Sequence, residues 1–195
     1  RKGDLAGRTI VVTAGGTQEA VDPVRIITNR SSGKMGYAIA EAARDRGANA
    51  VLITAPTALP DPAAVDVRHV ESAEDMGKAV AGASGRADAL IMAAAVADYR
   101  AATPAKQKIK KGSGNNLSIV LTKNPDILAE TNGPKVKVGF AAETEDLLAN
   151  ARRKLESKRA DLFIANNVSA GQETFGAETN KVTILADTAE KSDEI

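Results

Sequence analysis

Two groups of residues in this chain have the types and spacing to handle phosphate. The first is Gly15-Gly16-Thr17, followed after a polar stretch by Ser31-Ser32-Gly33. Glycine amides and hydroxyls meet an anion without Cβ obstruction, and a helix opened by Ser-Ser-Gly adds aligned N–H groups. Between them stand Arg25 and Asn29, a cation and an amide donor suited to an oxygen that gains charge during a reaction. They would lie one turn apart if this loop were locally helical. The second group is Lys106, Lys108 and Lys110, whose alternation in an extended segment would send three ammonium groups to one side. Each group also has a plainer reading: a tight turn, a serine helix cap, an exposed Arg and turn Asn, a solvated lysine loop.

These residues need a scaffold, and the hydrophobic pattern supplies one. Apolar runs predict strands at 9–14, 49–54, 66–70, 88–95, 136–140 and 161–165, with a late strand at 182–185. Helical spacing predicts helices near 35–46, 73–82, 125–131 and 145–159. In the last, Leu147, Leu148, Ala151 and Leu155 mark one buried face. Continuous apolar strands alternating with helices predict an α/β fold: a doubly wound, mostly parallel, Rossmann-like sheet with helices on both faces. Residues 15–36 form one long loop in this reading, leaving the carboxyl end of the first strand, where open α/β sheets bind ligands. Residues 1–8 look like a tail or linker, and 9–195 like a single domain. Residues 99–117 and 169–181 break the alternation; the former reads as a flexible lysine-rich flap.

Composition removes other chemistries. There is no cysteine and only one histidine, His69, so disulfides, thiolate nucleophiles and His- or Cys-based metal clusters are excluded. With 26 basic and 25 acidic residues and 3% aromatics, there is no global electrostatic footprint for nucleic acid, and a local contact by the lysine segment is opposed by the absence of aromatics between its lysines. No apolar run approaches the length of a membrane span and no signal peptide is evident, which predicts a cytoplasmic protein.

Two familiar phosphate motifs fail residue by residue. A P-loop needs glycine at 28 and Ser or Thr at 35, where Thr28 and Met35 stand. A dinucleotide fingerprint starting at Gly15 needs glycines at 17 and 20, where Thr17 and Ala20 stand, and an acid after the second strand, where Thr54-Ala55 stand. A third pattern fits. Gly15-Gly16-Thr17-x-Glu19-x-x-Asp22-x-Val24-Arg25-x-Ile27-x-Asn29-x-Ser31-Ser32-Gly33-Lys34-Met35-Gly36 resembles the signature loop of phosphopantothenoylcysteine synthetases. The blocks Ala93–Tyr99, Lys108–Lys111, Asn124–Leu128 and Gly139–Thr144 continue the resemblance in order along nearly the whole chain.

The resemblance, nearest to the bacterial group, implies a CTP-dependent ligase acting with Mg²⁺. The carboxylate of 4′-phosphopantothenate would displace pyrophosphate from CTP, and the amine of cysteine would then displace CMP from the acyl-cytidylate. It implies that Asn29 holds the intermediate, that Arg25 affects its consumption, and that Lys108 clamps the triphosphate. Nucleotide contacts are implied at Gly15, Gly16, Thr17, Ser31, Ser32, Gly33, Met92, Ala93, Ala94, Ala95, Asp98, Pro125, Asp126, Ile127, Leu128, Phe140, Lys154 and Lys158. Asp98 could also take Mg²⁺. Asn124-Pro125-Asp126 reads in addition as N-cap, N1 and first turn of a helix, Phe140 as core, and Lys154 and Lys158 as a solvated helix face. Relatives dimerise and are often fused behind a flavin-dependent decarboxylase, so the partners expected are small molecules and a second copy. The polar start suits a piece of such a fusion, and no flavin is expected here. The rivals are an NAD(P)-dependent oxidoreductase on the same fold, opposed by the glycine pattern and the lack of a Tyr-x-x-x-Lys pair at Tyr37 or Tyr99, and a non-catalytic nucleotide-binding module.

Overall fold

The run Thr9–Ala14 (β1) is buried along five of its six residues, as an apolar strand must be when helices cover both faces. The computed structural model describes residues 3–111, 116–143, 146–167 and 182–186. After β1 come β2 (Gln18–Ala20), β3 (Ile26–Thr28), α1 (Lys34–Asp45), β4 (Asn49–Thr54), β5 (Asp66–His69), α2 (Ala73–Ser84) and β6 (Ala89–Met92). Then follow β7 (Tyr99–Ala101), β8 (Leu121–Lys123), α3 (Ile127–Glu130), β9 (Val136–Glu143), α4 (Leu147–Lys158), β10 (Leu162–Asn167) and β11 (Val182–Ala186).

Seven strands form the central sheet in the order β11-β10-β9-β6-β1-β4-β5. All its pairings are parallel except β10 with β11. The chain winds outward from β1 to β5, then returns to β6 on the other side of β1. That reversal is the topological switch point, and a crevice opens beyond the carboxyl ends of the two strands.

Alternation within β1 divides the core in two. Ile10, Val12 and Ala14 pack with Tyr37, Ala40 and Ala43 of α1 on one face. Val11 joins Met76 and Val80 of α2, Ile127 and Leu128 of α3, and Ala151 and Leu155 of α4 on the other. The doubly wound, Rossmann-like fold expected from the sequence is the fold observed.

Four details differ from the sequence reading. The loop at 15–36 contains the antiparallel hairpin β2–β3, whose three-residue strands are too short to give a periodic signal. Tyr99–Ala101 pairs with Leu121–Lys123, a second small ribbon that joins the start of the irregular stretch 99–117 to residues just past its end. The strand expected at 88–95 stops at Met92, and residues 93–98 run on as the wall of the crevice. Leu148, assigned to the buried face of α4, is exposed, whereas Ala151 and Leu155 are buried.

Residues 3–8, read as a tail, are tied to the body. The Leu5 amide donates to the Arg46 carbonyl at 3.0 Å, and Arg46 pairs with Asp4. Within the stretch read as a lysine-rich flap, residues 112–115 lie outside the described residues, as do residues 169–181.

Candidate nucleotide site

Beside the carboxyl end of β6 the fold encloses a cavity of about 530 Å³. Met92, Ala94, Val96, Ala97, Asp98 and Tyr99 form one part of its lining, and Lys123 to Leu128 adjoin them. Phe140, Phe163, Lys154 and Lys158 complete it. Ten residues implied as nucleotide contacts therefore meet in one hollow: Met92, Ala94, Asp98, Pro125, Asp126, Ile127, Leu128, Phe140, Lys154 and Lys158. Its charged groups are three ammoniums, on Lys123, Lys154 and Lys158, against two carboxylates, on Asp98 and Asp126. The balance favours an anionic ligand whose flat part lies on the apolar side.

The Lys123–Leu128 part of the lining is built from local hydrogen bonds. Asp126, not Asn124, is the N-cap of α3, accepting the Ala129 amide at 3.2 Å. Its other oxygen pairs with Lys158 of α4. Asn124 serves a different end: its amide donates to the Ala97 carbonyl at 2.7 Å and its oxygen accepts from Arg100 at 2.9 Å. Two adjoining segments of the cavity lining are thereby clipped together. Lys137 holds the far side, donating to the carbonyls of Leu128, Thr131 and Lys158.

The Ala93–Ala95 segment is tied into the fold by its backbone. Its three amides donate to the Ile91 and Gly15 carbonyls and to the Thr13 hydroxyl.

The signature loop stands next to this wall, outside the cavity lining. Gly15 (φ 78°) and Gly33 (φ 76°), the N-cap of α1, are both left-handed, a conformation that favours glycine. A Cβ on Gly33 would lie 3.5 Å from the Gly15 amide nitrogen, and one on Gly16 3.5 Å from the Ser31 Cβ. The glycines and serines of the first group thus converge. The serines also act locally, Ser31 accepting the Gly33 amide at 3.3 Å and Ser32 the Lys34 amide at 3.5 Å.

Thr17 departs from its expected role. It is fully buried; its amide donates to the Ala95 carbonyl and its hydroxyl accepts from the Ala97 amide at 2.9 Å. A hydroxyl turned inward in this way rivets loop to cavity wall and does not face a phosphate. Asn29 adds a second rivet, donating to the Val96 carbonyl at 3.1 Å.

Arg25 and Asn29 are not one helical turn apart, because β3 runs between them as extended chain. Arg25 instead pairs with the buried Asp22 at 2.5 Å and donates to the Ile109 carbonyl at 3.1 Å. Lys106, Lys108 and Lys110 are exposed, and none of them lines the cavity. Glu19, also buried, accepts the Ala73 amide at 2.8 Å and so holds the first turn of α2. The sequence reading gave no separate role to Asp22, Glu19 or Lys137, each of which reaches a backbone group on another element.

No group of three or more His, Asp or Glu side chains able to hold a metal exists among the described residues. Thr54, where a dinucleotide-binding chain would present an acid, is buried and bonded to the Ala55 carbonyl.

A doubly wound α/β domain with a lysine-bearing cavity beside the carboxyl end of β6 is the class that fold and site define. Residues 5–194 match the model of the DNA/pantothenate metabolism flavoprotein C-terminal domain, and the chain belongs to that family. It is 47% identical over 193 residues to the coenzyme A biosynthesis bifunctional protein CoaBC of Vibrio vulnificus, covering 96% of this chain and 48% of that protein. The Mycobacterium bovis protein of the same name is 48% identical over 197 residues, with 94% and 47% covered. The chain thus spans about half the length of these relatives. The crystal structure of the C-terminal domain of a CoaBC protein superposes with a TM-score of 0.79 at 40% identity, covering 95% of this chain and 85% of that one. A flavoprotein of the same family name from Streptococcus pneumoniae gives 0.76 at 29%, with 93% and 89% covered.

Proposed function

We propose that this domain is a phosphopantothenate–cysteine ligase of coenzyme A biosynthesis, using CTP and Mg²⁺ and passing through an acyl-cytidylate. The observation that carries the proposal is the cavity: nucleotide contacts implied in three separate sequence blocks converge on it together with Lys154 and Lys158. Its apolar side, with Met92, Ala94 and Phe140, suits a base, and its Lys154–Lys158 side suits phosphates. A relative sharing the fold at 16% identity has been crystallised as a complex with phosphopantothenate-cysteine, the product this reaction would make.

In the first step a carboxylate oxygen of 4′-phosphopantothenate bonds to the α-phosphorus of CTP and the bond to pyrophosphate breaks. Both partners are anions, so cations must offset their repulsion; that work is assigned to Lys154 and Lys158, which line the cavity, and to Lys108, the lysine the resemblance implies. In the second step the cysteine nitrogen bonds to the acyl carbon, CMP leaves, and the nitrogen gives up a proton. Asn29, which is bonded to Val96 of the cavity wall, is the amide donor assigned to steady the carbonyl oxygen as it turns tetrahedral.

Asp98 at the cavity wall fits Mg²⁺, which commonly takes one or two carboxylates and completes its shell with phosphates and water. When bound, the ion would neutralise charge on the triphosphate. Flavin chemistry is assigned to a decarboxylase domain outside this chain. The exposed apolar residues Val24 and Ile26 of the hairpin, with Leu117, Ile119, Val120 and Leu121, suit a homodimer interface.

A pyrophosphate-release assay with phosphopantothenate and cysteine, run with CTP or ATP, tests the proposal. CTP should support release and ATP far less. Binding of CTP without release would leave a non-catalytic module; a stabilising response to NADPH alone would favour an oxidoreductase.

A further inference from the structure

We infer that Asp22 is a positioning residue for Lys108, acting through the backbone of Ile109; the inference rests on the reading of Lys108 as the lysine that meets the nucleotide phosphates. Asp22 is a buried carboxylate in the turn of the β2–β3 hairpin. Its Oδ1 accepts the amides of Val24 and Arg25, each at 2.8 Å. That is ordinary local turn chemistry for an aspartate. The turn makes no use of Oδ2, which accepts the Ile109 amide at 3.0 Å across 87 residues of sequence. Arg25, held by the same Oδ2, donates to the Ile109 carbonyl at 3.1 Å. Both backbone polar groups of Ile109 are thus clasped by one ion pair.

The consequence for Lys108 follows from peptide geometry. The Ile109 N–H belongs to the planar unit that also contains the Lys108 Cα, so fixing that N–H fixes where the lysine side chain starts. A second tether, from the Ala105 amide to the Val21 carbonyl at 2.9 Å, lies on the other side of Lys106 and Lys108. The three residues 106–108 therefore bridge two anchor points on one hairpin. That hairpin is in turn joined to the cavity wall through Thr17 and Asn29. A lysine on a long flexible stem stabilises charge efficiently only when its base is fixed relative to the reacting phosphate. The clasp supplies the fixed base while leaving the ammonium exposed and able to swing.

Asp22→Asn tests this, because it keeps an oxygen for the turn and turns an NH₂ toward the Ile109 amide. The Ile109 amide should exchange with solvent roughly tenfold faster or more in Asp22→Asn than in the parent protein; unchanged exchange overturns the inference. In the pyrophosphate assay Asp22→Asn should lower kcat about tenfold with KM for phosphopantothenate held within about twofold. Combined with Lys108→Ala it should add less than about a twofold further loss, since residues acting as a unit are non-additive. A full additional loss in the Lys108→Ala background would mean a general structural effect and overturns the inference. Ile109→Pro, which deletes the donor and spares Asp22, should repeat the kcat loss; a normal kcat there also overturns it. A parent protein that releases no pyrophosphate overturns the ligase reading and this assignment of Lys108 together, whereas an active parent with an unslowed Asp22→Asn overturns this inference alone.

Discussion

The Lys137 ammonium donates to the carbonyl of Lys158, the last residue of α4, at 3.2 Å. It also reaches Leu128 at 3.0 Å and Thr131 at 3.3 Å, at the end of α3. Helix carboxyl ends leave carbonyls without partners and favour a cation beside them. One lysine therefore ties together the two helices that bring Leu128 and Lys158 to the cavity. Burial lowers its pKa from the ordinary lysine value, and the charge of Arg159 lowers it further. Lys137→Met would keep most of the stem but strand three carbonyls, at a cost of about 1–3 kcal/mol. Urea melts should show that loss, and CTP titration should show weakened binding. Stability equal to the parent's would mean water replaces the ammonium without penalty.

Asn29→Asp addresses the second chemical step. The amide donates to the Val96 carbonyl, whereas a carboxylate has no proton to give and would face that oxygen with like charge. The lysines of the cavity stay in place, so activation of the acid should proceed. Delivery of the amine to the acyl carbon should slow by roughly 10²-fold, the scale of losing one oxyanion donor. Rapid-quench sampling should then find acyl-cytidylate accumulating in the mutant. Absence of that intermediate would remove the role assigned to Asn29.

Much of this architecture was legible in the chain because it depends on local periodicity. β1 and β4 span the predicted residues, since continuous apolar runs have one good solution in a covered parallel sheet. The contacts around the cavity came from a resemblance in sequence blocks, and ten of them meet in space. What escaped the sequence was the use of polar side chains as long-range ties. Nothing local marks the Thr17 hydroxyl as a partner of Ala97, or Asp22 as a partner of Ile109, because the partners stand 80 and 87 residues apart in the chain. The same holds for Asn124: its spacing before α3 suggests an N-cap, yet Asp126 caps the helix and Asn124 faces Ala97. The signature loop looked like a ligand cradle; much of its polarity joins the cavity wall, α2 and the lysine segment.

Acid should loosen this junction. The Asp22 carboxyl is lowered from 3.8 to about 2, chiefly by the Ile109 amide, with the Val24 and Arg25 amides and the Arg25 guanidinium adding to it and burial opposing. A folded-state pKa below the unfolded one means that the fold prefers the carboxylate. Its stabilising contribution is complete above pH 3.8 and is lost as pH falls through about 2. Urea melts at several pH values across that window should show a decline in parent stability that is shallower in Asp22→Asn. An identical slope in both proteins would assign the acid sensitivity to other carboxylates, such as Asp88, which is lowered by Lys135, the Thr9 amide and Arg8.

Gly139 lies in β9 directly beneath the cavity. A Cβ there would stand 2.3 Å from Phe163 Cε2 and 2.9 Å from Leu128 Cδ2. Both neighbours are buried and both line the cavity, so the nearest room for a methyl lies on the ligand's side. Overpacking a tight core costs about 1–3 kcal/mol, and part of that is relieved when the Phe163 ring turns into the hollow. Gly139→Ala should therefore lose more in nucleotide affinity than in stability, with CTP binding weakened roughly tenfold or more by even a ring-sized intrusion. Adding Phe163→Leu should restore binding toward the parent level, because the smaller side chain vacates what the methyl requires. A double mutant that binds CTP no better than Gly139→Ala alone would show that the strand, not the ring, had moved.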